Sequence, residues 1–121
     1  AGFKASWQPL IDRGTKIIAI HDVPRGNNKQ AACALKHPRN FAYCSIKERS
    51  ALKQTDWLSK AAAKVPGAYR VDLTKYFCRD GVCPQIVGHT FTYHDGSHVS
   101  ATYARTLAPF IAEQMAALGL Q

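Results

Sequence analysis

The chain has 121 residues, enough for one domain that buries roughly two thirds of its unfolded surface. Its apolar content of 46% excludes a disordered protein, and it has no apolar run of the ~18 residues needed to span a membrane. The net charge of +8 favours polyanions as ligands. However, the basic residues form no block and do not alternate with aromatic residues, so we expect no specific nucleic-acid binding.

The first elements are a helix and a buried strand. Residues 3–13 have helical apolar spacing, and Gly14 can end this helix in a left-handed conformation. Residues 17–20 are all apolar, which is typical of a strand buried on both faces. This order predicts a parallel α/β unit, with His21 and Asp22 at the strand end where ligands bind in such sheets. We favour structural roles for these two residues.

Residues 25–48 are polar and predict a long excursion rather than a helix or strand. Cys33 and Cys44 bracket ten residues within it, and Cys78 and Cys83 bracket the turn sequence RDGV. The spacing favours two local disulfides, although four cysteines allow three connectivities. A four-cysteine zinc site is the alternative, but neither pair has the two-residue spacing typical of zinc sites. Disulfides would place the chain outside the cytoplasm.

The remaining elements alternate between helix and extended chain. We predict a helix over residues 50–64, a strand over 69–73, one turn of helix before Cys78 and an irregular extended segment over 85–93. The last helix is predicted over residues 98–118, and Pro109 should kink or split it. The positions expected to form its buried stripe are Val99, Tyr103, Leu107, Phe110, Ile111, Met115 and Leu118. Trp7 and Trp57 are expected in the core.

The sequence YHDGSH contains a candidate catalytic pair, Asp95 and His98. A histidine acts as a general base only when its ring is held in one orientation and tautomer, and a carboxylate on the other ring nitrogen does this. Gly96 permits the tight turn that would bring them together. The alternative is a solvated turn in which Asp95 or Ser97 caps the last helix. A zinc site that adds His89 and His94 is disfavoured, because neighbouring side chains in an extended segment point to opposite faces.

Five segments together resemble one family closely: DVP (22–24), VDLT (71–74), C-x4-CP (78–84), IVG (86–88) and YHDGSHVSATYARTLAP (93–109). They resemble the SGNH-type domain that is fused to membrane acyltransferases of family three, with actinobacterial members nearest. The segment DGSHVSATYARTLAP is the most specific of the five. The resemblance covers essentially the whole chain.

The resemblance implies a three-layer α/β/α sandwich with a parallel sheet, a flavodoxin-like SGNH fold, of which residues 1–121 would be the C-terminal part. It implies that Asp95 orients the imidazole and that His98 is the general base of a Ser-His-Asp triad. Such domains need no cofactor. They transfer acyl groups, often acetyl, to hydroxyls of glycans outside the cytoplasm, while tethered to the membrane in the full-length protein.

The chain departs from the family in lacking the G-D-S block that supplies the nucleophile and the G-x-N-D block of the oxyanion hole. None of its six serines follows a buried strand, and Ser97 is too constrained within the D-x-x-H turn. The start of the chain has neither a signal-peptide pattern nor an initiating methionine. We therefore expect a fragment or processed chain, inactive alone, whose nucleophile lies upstream.

Half of a parallel sheet leaves a strand edge open. We therefore expect the missing half of the domain to cover that edge, or two copies of the chain to pair through it. The alternative function is a non-catalytic, disulfide-stapled module that binds an anionic cell-wall polymer.

Overall fold

The computed structural model describes residues 2–120. The α-helices of these residues are α1 (Gly2–Ile11), α2 (Gln30–Lys36), α3 (Glu48–Ala51), α4 (Trp57–Ala62), α5 (Thr74–Phe77), α6 (Ala101–Thr106) and α7 (Ala108–Ala117). The strands are β1 (Ile17–Ile20), β2 (Ile46–Lys47), β3 (Ala68–Val71), β4 (Val82–Cys83), β5 (Ile86–Val87) and β6 (Thr90–Phe91). One turn of 3₁₀ helix spans Phe41–Cys44.

The longest strands of residues 2–120, β1 and β3, form a parallel pair, with Ile18 opposite Tyr69 in the register. Helix α4 contacts both strands, and α7 contacts β3. The Gln114 side chain of α7 binds both backbone groups of Asp72: Nε2 donates to its carbonyl at 2.7 Å, and Oε1 accepts from its N–H at 2.9 Å. The predicted α/β class is confirmed, and the short pairs β2–β4 and β5–β6 are antiparallel additions.

Strand β1 is less buried than its sequence predicts. Ala19 is 2% exposed, but Ile17 and Ile18 are only half-buried and Ile20 is 43% exposed. The prediction of a strand buried on both faces is wrong for this chain, since the faces of β1 are only partly covered and it has a single strand neighbour among residues 2–120. One side of the strand therefore lacks the cover that an inner strand of a parallel sheet has.

The main core lies where α5, α6 and the segment after β6 meet β3. Phe77 of α5 is 1% exposed and packs between two tyrosine rings, with centroids 6.0 Å from Tyr93 and 5.3 Å from Tyr103. Each tyrosine hydroxyl donates to a backbone carbonyl, that of Tyr93 to Pro24 and that of Tyr103 to Tyr76. The aromatic cluster thus satisfies its polar atoms while it joins distant segments of the chain.

The helix predicted over residues 50–64 is broken into α3 and α4. The break follows from Asp56, whose Oδ1 accepts from the Ser59 N–H at 2.9 Å and so begins α4 as its N-cap. Trp57, at the first helical position, is 68% exposed and lies under the Lys60 ammonium rather than in the core. The core prediction is therefore wrong for Trp57, and Trp7 is only half-buried.

The last helix is divided at Pro109, as predicted. Pro109 lies in the first turn of α7, where its missing N–H costs no helical hydrogen bond. Helix α6 begins at Ala101 rather than at residue 98, because the Ser100 hydroxyl accepts from the Tyr103 N–H as the N-cap. The predicted stripe fails at its end: Leu118 is 41% exposed, and Leu120 is buried in its place.

Both predicted disulfides are present. Cys33 is bonded to Cys44 and Cys78 to Cys83, which leaves no free cysteine and rules out the four-cysteine zinc alternative. The first disulfide closes the excursion that contains α2 and the 3₁₀ turn, and the second closes a turn with positive φ at Asp80 and Gly81. In residues 2–120, no helix has the length and apolar character to cross a membrane.

We predict that Cys33→Ala/Cys44→Ala lowers the free energy of unfolding by roughly 3 kcal/mol, because the disulfide removes loop entropy from the unfolded chain. Urea denaturation of the oxidised proteins measures this difference. Ser45→Ala, beside Cys44, should change stability by less than about 0.5 kcal/mol. Equal unfolding midpoints for wild type and the double variant would contradict the prediction.

Candidate active site

The D-x-x-H segment forms the tip of a short hairpin-like loop between β6 and α6. Its arms are joined by backbone hydrogen bonds from His94 N–H to the His98 carbonyl at 2.7 Å and from Ser100 N–H to the Thr92 carbonyl at 2.9 Å. Tyr93 and Val99 form an antiparallel bridge between these bonds. Because the arms are paired up to His94 and His98, residues 95–97 must form a tight turn.

Asp95 is the centre of this turn. Its Oδ1 accepts hydrogen bonds from the backbone N–H groups of Ser97 and His98, each at 2.8 Å, and its Oδ2 lies 2.8 Å from His98 Nδ1. The bond from the Ser97 N–H, followed by the two from His98, holds the pKa of Asp95 far below its usual range. An ionised carboxylate only accepts hydrogen bonds, so Nδ1 carries the proton of a neutral His98 ring.

The alternative in which Asp95 or Ser97 caps the last helix is wrong, because Ser100 is the N-cap of α6. The Ser97 hydroxyl lies 3.5 Å from His98 Nδ1, the nitrogen already bound to Asp95. It is therefore beside the wrong nitrogen to be the nucleophile of this pair. The other ring nitrogen, Nε2, has no hydrogen bond within residues 2–120, and the His98 side chain is 77% exposed.

A second loop, residues 26–30, supports the turn. Gly96 N–H donates to Asn28 Oδ1 at 2.8 Å. A Cβ at Gly96 would lie 2.6 Å from that same oxygen, displacing it from the hydrogen bond, and 3.2 Å from the Asn28 nitrogen, so glycine suits this close approach. The sequence alone does not predict this role of Asn28. The only available signal was the loop sequence RGNN after the DVP segment, which does not reveal a contact 68 residues along the chain.

The base of the loop is buried and hydrogen-bonded. Thr92 is fully buried, and its hydroxyl donates to the Gln85 carbonyl at 3.0 Å. The buried Gln85 side chain donates to the Tyr93 carbonyl at 3.4 Å. Burial raises the pKa of the Tyr93 hydroxyl, which stays protonated as the donor to Pro24. The exposed turn is therefore attached to a buried segment whose polar side chains form hydrogen bonds.

His21 and Asp22 lie at the carboxyl end of β1 but take part in a different network. The His21 ring lies 3.7 Å from Asp56 Oδ2, which also accepts from the Asp22 N–H at 2.8 Å, and the Asp22 carboxylate pairs with Arg25 at 3.6 Å. Partial burial opposes ionisation of Asp56, but the N–H groups of Ser59 and Asp22 outweigh it and lower its pKa. The network lines a polar pocket of about 380 Å³.

A groove of about 900 Å³ lies between α5, the β5–β6 hairpin and the last two helices. Its lining is mostly apolar and includes no residue of the D-x-x-H turn, so size alone does not identify the candidate site. Within the same residues, no group of three or more His, Cys, Asp or Glu side chains could hold a metal ion, and His89 and His94 are exposed loop residues.

The chain thus combines an α/β fold with a histidine–aspartate pair on the loop between β6 and α6. Comparison with known families identifies the protein family: the family model described as "SGNH domain (fused to AT3 domains)" matches residues 1–113. The chain belongs to this family of acyl-related hydrolases and transferases, whose members accompany a membrane acyltransferase domain. No curated protein and no solved structure matches the chain.

We predict that the Asp95 carboxyl titrates below the ordinary aspartate value of about 3.9. Because its folded-state pKa is depressed, its contribution to stability is complete above that value and is lost only as the pH falls through the lower, folded-state pKa. Carbon NMR titration of the carboxyl measures the midpoint.

His98→Ala removes one of the three hydrogen bonds and should raise this midpoint, while His94→Ala, which keeps all three, serves as the control. An ordinary midpoint in the wild-type chain would show that the turn does not hold in solution.

Proposed function

We propose that the chain supplies the histidine and aspartate of a Ser-His-Asp triad in an O-acyltransferase or esterase domain that acts on glycan hydroxyls outside the cytoplasm. The observation that carries this proposal is the 2.8 Å contact between Asp95 Oδ2 and His98 Nδ1, which leaves Nε2 accessible. Family membership supports acyl chemistry, and the two disulfides support an oxidising compartment.

In the proposed reaction, His98 Nε2 takes the proton of a serine hydroxyl as the serine attacks the acyl carbonyl. The tetrahedral intermediate collapses to an acyl-enzyme, and the imidazolium returns its proton to the leaving group. A glycan hydroxyl or water then attacks the acyl-enzyme by the reverse sequence. Asp95 holds the Nδ1–H tautomer and stabilises the imidazolium, and its lowered pKa keeps it ionised for that role.

We infer that the serine comes from outside these 121 residues and that they are the C-terminal portion of one SGNH domain. The sequence has no G-D-S block. Ser100 is used as a helix cap, and Ser59 is buried in α4. Among residues 2–120, β1 pairs with β3 alone, so its other edge is open to a further strand in the complete domain, and the exposed Ile20 supports further cover over its face. The same edge could instead join two copies of the chain.

We predict that His98→Ala abolishes acyl turnover in the intact protein and that Asp95→Asn lowers kcat by about 10⁴-fold, because the asparagine amide favours the wrong tautomer. Release of acetate from an acetylated glycan or an aryl acetate measures turnover. His94→Ala removes an exposed imidazole from the same loop and should retain wild-type kcat. Full activity in the first two variants would rule out the triad assignment.

A serine-reactive fluorophosphonate locates the nucleophile when the intact protein is labelled and read by mass. A label on a serine outside residues 1–121 supports the proposal. A label on one of the six serines within the chain would relocate the nucleophile. No label would favour the non-catalytic alternative.

That alternative is a module that binds an anionic cell-wall polymer, and the polar pocket at the end of β1 favours it specifically. The pocket contains two carboxylates, Asp22 and Asp56, and more basic groups than acidic ones. The basic side chains of its lining are Arg25, Lys53, Lys60 and Arg70. Of these, Lys53 and Arg70 are exposed and have no ion pair within residues 2–120, so they are free to meet an anionic ligand.

For this alternative, we predict that affinity for polyphosphate falls by roughly tenfold or more between 50 and 200 mM salt, because binding releases counterions. Lys53→Glu/Arg70→Glu should weaken binding at low salt more than Lys36→Glu/Arg39→Glu, which makes the same charge change outside the pocket. Fluorescence anisotropy measures both effects. Equal weakening by the two variants would show that net charge acts without the pocket.

A further inference from the structure

We propose that Asn28 is a positioning residue for the His98–Asp95 pair, and that it acts by holding the backbone of the D-x-x-H turn. This inference rests on the proposed catalytic function. Asn28 Oδ1 accepts the Gly96 N–H at 2.8 Å, and this is a contact between the turn and a segment 68 residues earlier in the chain.

The contact is made at Gly96, which lies between the two members of the pair. Gly96 follows Asp95 directly, and its N–H belongs to the peptide that joins them. The hydrogen bond therefore fixes the orientation of the peptide group attached to the Asp95 Cα, which bears the carboxylate side chain. The hydrogen bonds of Asp95 to Ser97 and His98 hold the turn together internally but do not tie it to the rest of the fold. The hydrogen bond from Gly96 to Asn28 connects the turn to the rest of the fold at a point beyond the paired arms.

The backbones of the turn and of loop 26–30 are also in close steric contact. A Cβ at Gly96 would lie 2.6 Å from Asn28 Oδ1, 3.2 Å from the Asn28 nitrogen and 3.3 Å from the Asn27 carbon. A Cβ at Gly26 would lie 3.5 Å from the Gly96 carbonyl oxygen. The absence of a Cβ at Gly96 thus lets the two backbones approach, and the turn contacts loop 26–30 at more than one atom.

Loop 26–30 is itself held in place by hydrogen bonds, so Asn28 has a fixed position from which to bind Gly96. Gln30 is 3% exposed, and its Oε1 accepts from the Asn27 N–H at 2.9 Å while its Nε2 donates to the Cys44 carbonyl at 3.2 Å. Cys44 is bonded to Cys33. The disulfide-closed excursion thereby supports Asn28 through Gln30, and Asn28 supports the turn. This gives the excursion a role in the site although it supplies no reacting group.

Asn28 carries no charge and has no contact with a reacting atom, so it acts through geometry. With its oxygen removed, the turn keeps its internal bonds but loses the support of its tip. The direction of His98 Nε2 toward a serine then varies. Misplacement of a catalytic base by about 1 Å can cost roughly 10²-fold in rate. We expect the loss to fall on kcat, because the contact positions the catalytic base.

The test compares Asn28→Ala with Asn28→Asp, which keeps an acceptor oxygen, and with Asn40→Ala, the same truncation at an exposed asparagine in the excursion. We expect Asn28→Ala to lower kcat of the intact protein by about 10- to 100-fold with KM within about twofold, and Asn28→Asp to recover most of the loss. Amide exchange at Gly96 should accelerate in Asn28→Ala alone.

Unchanged kcat and unchanged Gly96 exchange in Asn28→Ala would overturn the inference, as would equal losses in Asn28→Ala and Asn40→Ala. The exchange measurement needs no turnover, so it decides whether Asn28 holds the turn even if His98→Ala leaves activity intact. Full activity in His98→Ala would overturn the triad and hence the positioning role. Faster amide exchange at Gly96 in Asn28→Ala would still show that Asn28 holds the turn.

Discussion

Three hydrogen bonds converge on the carboxylate of Asp95, and the candidate site depends on them. Two come from backbone N–H groups and close the turn, and the third comes from the His98 ring and fixes its tautomer. Such bonds to a charged acceptor are stronger than neutral ones and favour the ionised form. One carboxylate thus shapes the backbone, orients the imidazole and supplies the negative charge that an imidazolium requires.

An exposed turn needs support from behind, and the rest of the chain provides it. The arms of the loop pair with each other, the buried Thr92 and Gln85 hold its base, and the Tyr93 hydroxyl joins that base to Pro24 after β1. Loop 26–30 then supports the tip through Asn28. Functional loops are commonly held by a rigid scaffold. Here the scaffold includes the Cys33–Cys44 disulfide, which lies outside the main core.

The sheet contrasts with this well-supported turn. Two parallel strands are covered by helices, yet Ile20 on β1 remains 43% exposed. Parallel sheets are normally buried on both faces and continue through further strands. An accessible imidazole and an open strand edge in one chain are both explained if a further portion of the domain brings a strand and a nucleophile. The proposed function unites these features, whereas the polyanion-binding alternative explains only the charge.

The sequence alone determined what depends on local chemistry. An apolar run predicted β1, alternation predicted β3, Pro109 predicted the division of the last helix, cysteine spacing favoured the disulfides, and the D-x-x-H spacing made Asp95 and His98 a candidate pair, since each depends on residues close in the chain. Tertiary structure alone decided the N-cap that starts α4 and exposes Trp57, the partial exposure of β1, and the support of Gly96 by Asn28. These depend on competing caps, missing strand neighbours and contacts between distant segments, which periodicity and spacing do not encode.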